Sequence, residues 1–358
     1  MINKSSCPFC IGVSTLQPTS KGALGALFVL LSFVFGAAVR LRILLYSTGI
    51  IGGKRAYGVR VISIGNLTVG GTGKTPVCMM LARMLPGAAI VSRGYGRKSR
   101  EPVQVVSDGR KVLGVYPDAA DEALLCAHEL KTVPVICAPR RIRGIRAAWA
   151  MFGTRTVVLD DAFSHLAVGR DKNILLVDAL DPFGGGKLFP AGRLREPLSS
   201  AKRCGAVVIT RADKASPEVL LHIRSEYSHR VKYGTPFFTC DIVPETVMEP
   251  SGGSQPATEF LRGKNVRLVS GIANPAQFED TVRSLGATVS AHHAFGDHHP
   301  FTAEEVQSIC GELREGELLL TTQKDYMRLP QQSHDQFHLL TVAARVREED
   351  EFKTWLLA

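Results

Sequence analysis

Apolar runs at Val61–Ile64, Ala88–Ser92, Val133–Ala138, Thr156–Leu159, Ile174–Val177 and Ala206–Thr210 are too short for helices and apolar on both faces. Strands buried in a parallel sheet have that signature. Stretches such as Asp121–Leu130 and Arg141–Phe152 read as helices between them. Strand and helix alternate, which predicts a doubly wound α/β fold. Between Thr235 and Leu261 the character changes: Pro236, Pro244, Pro250 and Pro256 surround Ser251-Gly252-Gly253-Ser254, predicting a linker or crossover. A second, shorter series follows, with strands at Val266–Gly271, Thr288–Ala291 and Leu318–Thr322 and helices at Pro275–Leu285 and Thr302–Glu312. The pattern thus predicts a main unit at 46–234, a linker at 235–261 and a smaller α/β domain at 262–358, with a cleft between the units.

A segment of another kind comes first. Gly22–Val39 is almost wholly apolar, with Lys21 before it and Arg40 and Arg42 after it, and predicts a hydrophobic helix over 21–45. Its length is at the lower edge for spanning a bilayer. A signal peptide conflicts with the glycine-rich Gly70-Gly71-Thr72-Gly73-Lys74-Thr75 downstream, a phosphate-cradle pattern whose ATP chemistry belongs in the cytosol. A single crossing would leave the main body on the side of the heavier basic flank, Arg40, Arg42, Lys54, Arg55 and Arg60, which is the cytoplasm. An interfacial helix would instead lie in one leaflet with its arginines on lipid phosphates. A buried core helix is the alternative to both. Residues 1–20 predict a flexible tail, and its Cys7-x-x-Cys10 has neither a second pair for zinc nor a redox frame.

Composition narrows the partners. A net charge of +10 over 358 residues suits nucleic acid, an anionic membrane surface or a phosphorylated substrate. The basic residues are scattered in clusters, Arg93-Arg97-Lys98-Arg100 and Arg140-Arg141-Arg143-Arg146, which resemble anion-site lining more than a nucleic-acid arm. Neither nucleic acid nor an obligate protein partner is expected. Among the eight cysteines, Cys78, Cys126, Cys137 and Cys204 sit in apolar segments, as buried thiols do in reducing compartments.

The densest chemistry lies after the first strand. Gly65-Asn66-Leu67-Thr68-Val69-Gly70-Gly71-Thr72-Gly73-Lys74-Thr75 leads into a helix from Val77 to Leu85. Strand, glycine-rich loop, Lys-Thr and helix together make a phosphate cradle: backbone N–H groups and the helix dipole face the anion. Gly70, Gly71, Thr72 and Gly73 would line it, Lys74 would reach the β- and γ-phosphates, and Thr75 would ligate Mg²⁺. Thr68 stands where the usual P-loop has its first glycine. Further on, the strand Thr156–Leu159 ends in Asp160-Asp161, and behind a P-loop the first such aspartate is a Mg²⁺ partner. Asp121-Glu122 opens a helix, where complementing the dipole competes with a base or metal role. His298-His299 lies in a polar island, Phe295 to Phe301, better suited to orienting an aspartate than to binding zinc. Pro190 to Pro197 holds Arg193 and Arg195 in a stiff loop, and Arg93-Gly94-Tyr95-Gly96-Arg97 is a second arginine turn; forked guanidinium groups suit phosphate.

Together these motifs resemble the tetraacyldisaccharide 4′-kinases, the lipid A 4′-kinases of Gram-negative bacteria. The resemblance runs from about Leu24 to Leu329 and rests on order and spacing. It includes Gly65-Asn66-Leu67-Thr68, the loop to Pro76, Ser92 to Arg97, Asp121-Glu122 and Leu159-Asp160-Asp161 with Phe163 and His165. It continues through Pro190-Ala191-Gly192, Leu194-Arg195-Glu196-Pro197, Asp297-His298-His299 and Thr322-Gln323-Lys324-Asp325. It implies two α/β domains with the site in their cleft, an N-terminal membrane helix and an inner-membrane location with the catalytic domains cytoplasmic. The implied reaction moves the ATP γ-phosphoryl group to the 4′-hydroxyl of a tetraacylated glucosamine disaccharide 1-phosphate, with Mg²⁺. By resemblance Asp121 would act on the sugar hydroxyl, paired with His298, with Lys74 on the phosphates and Thr75, Asp160 and Glu122 around the metal. Asn66, Arg93, Arg97, Asp161, Arg193 and Arg195 are the candidate substrate contacts.

Three positions depart from the family pattern: Ala120 and Ala162 replace glycines, and Ser164 replaces a glutamine. Losing a glycine restricts positive φ, so altered loop geometry and altered lipid or headgroup contacts are expected, rather than altered ATP use. A different class shares the loop chemistry. Partitioning or switch ATPases that bind membrane or DNA also carry Gly-Gly-x-Gly-Lys-Thr, usually after a lysine, but Val69 occupies that position here.

Overall fold

The computed structural model describes residues 23–358, so the expected tail at 1–20 and the Cys7/Cys10 pair lie outside the described residues. Helix α1 (Ala23–Ser47) precedes β1 (Arg60–Gly65), α2 (Lys74–Met84), β2 (Ala88–Ser92), β3 (Gln104–Asp108) and α3 (Asp121–Glu129). Then come β4 (Pro134–Cys137), α4 (Arg141–Phe152), β5 (Thr156–Leu159), β6 (Lys172–Asp178), β7 (Ala206–Thr210) and α5 (Pro217–Ser228). The chain continues through β8 (Phe237–Met248), β9 (Ser254–Pro256), α6 (Ala257–Phe260), β10 (Asn265–Ser270), α7 (Pro275–Ser284) and β11 (Thr288–Ala294). It ends with α8 (Ala303–Gly311), β12 (Glu317–Thr322), α9 (Gln323–Tyr326), β13 (Phe337–Val346) and α10 (Glu349–Leu357).

These strands form one mixed sheet in the order β11-β10-β12-β13-β8-β7-β6-β1-β5-β2-β4-β3, with β9 beside β8. β4, β2, β5, β1, β6, β7 and β8 run parallel, which explains their unbroken apolar sequences: helices cover both faces. On one face, Val77 and Leu81 of α2, Ala123 and Leu124 of α3 and Phe352 of α10 form the core with Ile62, Ile64 and Val158. On the other, Ile142, Ile145 and Ala148 of α4 pack on Val61, Val91 and Val157, and Ile223 and Tyr227 of α5 pack on Leu175 and Val207. The expected doubly wound α/β architecture, with a second α/β series and an N-terminal apolar helix, is the one observed.

The proline-rich stretch read as a linker holds the twelve-residue β8, which pairs in parallel with β7 and antiparallel with β13. Proline tolerates a strand only where no ladder donor is needed. Here Pro244 sits opposite Val342 at a register shift, and Thr341 Oγ1 replaces the lost ladder bond by accepting from Thr246 N at 3.0 Å. The polar edge strand β3 and the segment after Thr322 carried no strand assignment, yet β3 pairs antiparallel with β4 and β13 joins β12 to β8.

α1 is a 25-residue helix, and its window Gly25–Ser47 is long and apolar enough to cross a membrane, with 6% of it buried. One side is tied to the protein. Ser32 Oγ donates to Leu188 O and accepts from Ala191 N, both at 2.9 Å, Phe35 meets Phe189 edge-on, and Arg42 Nη2 donates to Ser164 O. Leu30, Phe33, Val34, Leu41 and Leu44 stay exposed.

Candidate active site

The phosphate loop follows from local geometry. Gly73, at φ 76°, is the N-cap of α2 and has no side-chain cap, so the first N–H groups of the helix remain for a ligand. Only glycine takes that backbone readily, and a Cβ there would also approach Ile242 Cδ1 to 3.3 Å. Lys74 Nζ donates to Gly70 O at 3.1 Å and lies 4.0 Å from Asp161 Oδ2, folded over the loop it would serve. Thr75 is buried, and the buried Thr72 Oγ1 has no protein partner.

The loop is braced from the ends of β6 and β7 and from the connection between them. Thr210 Oγ1, closing β7, donates to Thr72 O at 2.9 Å. Arg211, the next residue, donates to Gly71 O at 2.6 Å, pairs with Asp178 at the end of β6 and reaches Gln277 Oε1 on α7 at 2.8 Å. Arg193 accepts from Val69 N through its carbonyl and returns a guanidinium bond to Val69 O at 2.9 Å, while pairing with Asp181 at 3.0 Å. Asn66 Nδ2 donates to Thr68 Oγ1 at 3.0 Å, so Asn66 and Thr68 shape the loop entrance together.

Asp121 opens α3 and is buried. His298 Nδ1 donates to its Oδ2 at 2.9 Å, Glu122 N donates to its Oδ1, and Arg328 Nε lies 3.7 Å away. Burial pushes the Asp121 carboxyl up, but the His298 bond and charge, with Lys324 and Arg328, leave it below the ordinary aspartate range. The same bond raises His298, against its partial burial. His298 holds a left-handed backbone at φ 61°, anchored by donation of its N–H to Gly271 O.

Asp160 directly follows β5, buried, with an Oδ1 that has no hydrogen-bond partner. Burial, Glu122 and Asp161 push its carboxyl up to about 7, opposed by Lys74 and Arg141. A buried carboxylate with a bare oxygen beside two further carboxylates is a place that a cation stabilises. Glu122 is held by Lys324 from α9, which follows β12. Lys324 also feels Asp121 and Asp160, which raise its pKa against desolvation. Among the described residues no three His, Cys, Asp or Glu side chains converge on one point. Mg²⁺ needs no such cage, since one or two carboxylates plus substrate phosphates suffice, so Thr75, Asp160 and Glu122 fit that ion.

The remaining candidates separate. Asp161 takes Arg195 Nη1 at 3.1 Å and Lys74; these cations hold its carboxyl low although burial raises it. Arg93 is exposed at the end of β2. Arg97 spends its guanidinium on Gln104 Oε1, Cys137 O and Glu101 O, tying its own loop. The expected glycine problem does not arise. Ala120 is extended at φ −70°, Ala162 has no positive φ, and the left-handed residue of that turn is Asp161 at φ 43°. Sequence reasoning assigned no role to Lys324, Arg328 or Arg211. Lys324 lies within Thr322-Gln323-Lys324-Asp325 and Arg328 just beyond it, and Arg211 follows an apolar strand as Asp160 does, which was the available signal.

The glycine loop at the N-terminus of α2, the buried Asp121–His298 pair and the buried Asp160 with its unpartnered oxygen are thus brought together around the ends of β1 and β5 and the start of α3. A family model described as LpxK, tetraacyldisaccharide-1-P 4'-kinase, matches residues 24–358. The tetraacyldisaccharide 4'-kinase of Anaeromyxobacter dehalogenans (strain 2CP-C) is 41% identical over 320 residues, 87% of this chain and 84% of that protein. That of Desulfatibacillum aliphaticivorans is 39% identical over 324 residues, 87% and 85% of the two. The crystal structure of LpxK from Aquifex aeolicus in complex with ATP matches with a TM-score of 0.75 and 29% identity, over 93% of this chain and 98% of that one. The chain belongs to the tetraacyldisaccharide-1-P 4'-kinase family.

Proposed function

We propose that the site between the phosphate loop and the Asp121–His298 pair is where this chain transfers the γ-phosphoryl group of ATP to the 4′-hydroxyl of a tetraacylated glucosamine disaccharide 1-phosphate. Family membership makes the chain an ATP-dependent tetraacyldisaccharide 4′-kinase. The assignment of roles rests on one observation above the others: a buried aspartate gripped by a histidine 177 residues away, in one electrostatic neighbourhood with Asp160 and Lys324. Gly70 to Gly73 and the α2 N-terminus receive the phosphates, with Lys74 on the β- and γ-oxygens. Thr75, Asp160 and Glu122 would hold Mg²⁺, which when bound would supply charge neutralisation on the phosphate oxygens. Asp121 orients the sugar hydroxyl and accepts its proton late, because the transfer is loose and the hydroxyl is too weak an acid to ionise early. Arg93 is the exposed guanidinium suited to the substrate's anionic end, while Arg193, Arg195 and Asn66 act through the loop they hold. Label transfer from γ-labelled ATP to purified tetraacyldisaccharide 1-phosphate tests the reading; ATP hydrolysis that ignores the lipid, with no labelled lipid, would sink it.

His298 sets the basicity of Asp121. When the imidazole is protonated the aspartate is a weaker base; when it is neutral the aspartate is a stronger one. Turnover is therefore expected to climb with pH through a limb lying above 6.5, the ordinary histidine value from which His298 is raised. In His298→Gln the limb should vanish and kcat fall about tenfold or more. A pH–rate profile of both proteins checks this, and an unchanged limb in the variant would remove His298 from the pair.

We further propose a main unit at 46–234 and a smaller one at 262–358, joined through 235–261, with side chains of the two meeting at the site. These are His298 with Asp121, Lys324 with Glu122, Gln323 with Glu129 and Gln277 with Arg211. We further propose that α1 attaches the protein to the inner membrane with the catalytic units on the cytoplasmic side. Its exposed apolar side and basic flank support this reading. Removing residues 1–47 is expected to move the protein from the membrane to the soluble fraction; unchanged fractionation would reject the anchor.

A further inference from the structure

The loop after α1 and the outer surface of α4 carry a feature that phosphoryl transfer does not use. Tyr57 is 90% exposed and Trp149 is 56% exposed. They line a groove of about 330 Å³ with Arg55, Ala56, Val59 and Arg146. A single exposed aromatic is ordinary, but two aromatics and two arginines lining one groove are a composition. Arg140, Arg143 and Met151 extend it along the exposed side of α4, and Ile50 and Ile51 lie exposed on the loop upstream.

Its position is tied to that of α1. Ala56 and Val168 pack in the same layer as Ile142, Ile145 and Ala148 of α4, so the loop after α1 lies on the sheet face that α4 covers. α1 reaches the β5–β6 connection beside that layer through Arg42 on Ser164 O, and the loop follows it through Lys54 N on Ala167 O at 2.9 Å. The charge is one-sided. No Asp or Glu occurs before Glu101, and none occurs within α4. Asp171, 3.5 Å from Arg55, is the nearby carboxylate.

We propose that this surface is a second membrane contact, which seats Trp149 and Tyr57 at the headgroup level of an anionic bilayer with Arg55, Arg143 and Arg146 on lipid phosphates. Tryptophan and tyrosine favour that level because their rings are apolar and their polar tips stay wet. Each arginine near an anionic surface strengthens attachment about fivefold. Together with α1 the patch gives two points of attachment on one face, which holds the kinase in a defined orientation to the lipid plane. This inference rests on the reading of α1 as the membrane anchor.

Full-length protein is mixed with vesicles of phosphatidylcholine alone and of phosphatidylcholine with phosphatidylglycerol, and tryptophan emission is followed together with co-sedimentation. On the anionic vesicles the wild type is expected to shift to the blue, with the shift absent in Trp149→Phe. The double variant Arg143→Gln/Arg146→Gln is expected to bind those vesicles about 10- to 30-fold more weakly, from two arginines at about fivefold each. Co-sedimentation without a Trp149 shift would overturn the patch and leave the α1 anchor standing. Failure to sediment at all would overturn both. A shift that grows with protein concentration in the absence of lipid would reassign the patch to self-association.

Discussion

Asp121→Asn is expected to lower kcat by about 10²–10⁴-fold, the range that a positioned general base contributes. The asparagine keeps the shape and can still accept the Glu122 N–H, so the start of α3 stays in place. What disappears is the proton acceptor. The affinity for ATP, read by calorimetry, is expected to stay within about twofold, because the phosphate loop makes no contact through Asp121 and a base loss leaves ground-state binding alone. Near-wild-type turnover would reject Asp121 as the base. The substitution should also destabilise the fold at neutral pH. Asp121 sits below the ordinary aspartate range, so its charged form favours the folded state. Removing it leaves Arg328, one of the most buried charges in the chain, with one carboxylate fewer.

Asp160→Asn should behave in the opposite way for stability and in the same way for activity. With the carboxyl raised to about 7 in the folded chain and 3.8 as the ordinary value, the unfolded state ionises first as pH rises. The charge therefore costs stability progressively between those two values, and the full cost remains above them. Removing it is expected to stabilise the ligand-free protein by up to about 4 kcal/mol at pH 8 and by well under 1 kcal/mol at pH 4. Catalysis should nevertheless fall by about 10² or more, since a cation-binding oxygen at the transferring phosphate is lost. Thermal melts at the two pH values, beside a Mg²⁺ titration of turnover, check both halves. A variant that melts lower than wild type at pH 8 would mean that the Asp160 charge does not cost stability in the folded chain. The site thus holds two buried aspartates with opposite environments: Asp121 surrounded by cations, and Asp160 crowded by carboxylates.

How much of this was legible depended on range along the chain. The segment from β1 through the phosphate loop to α2 spans some two dozen residues, and its apolar run, glycines and Lys-Thr carry their geometry locally. Asp160 was legible for the same reason, as a polar residue ending an apolar strand behind a P-loop. Asp121 was not, because an acidic residue at a helix start is ordinary. Only the resemblance promoted it, and only the fold brings His298 to 2.9 Å from it. Lys324 meets Glu122 across 202 residues, a separation that no periodicity encodes. The strand β8 within 235–261 was not legible among its prolines, because the threonine bonds that compensate Pro244 come from β13.

By itself the sequence determined the α/β architecture, the phosphate cradle, the apolar helix α1 and the family, because each rests on residues close in the chain or on the ordered spacing of motifs. The tertiary structure decided the rest. Arg193 and Arg211 brace the loop rather than wait in solvent, Arg97 serves its own turn, and Asp161 carries the left-handed backbone where Ala162 was expected to suffer. The environments of Asp121 and Asp160 also belong to the fold alone. A pKa is set by burial and by charges within a few ångströms, and those neighbours come from strand ends and turns that only the folded sheet gathers.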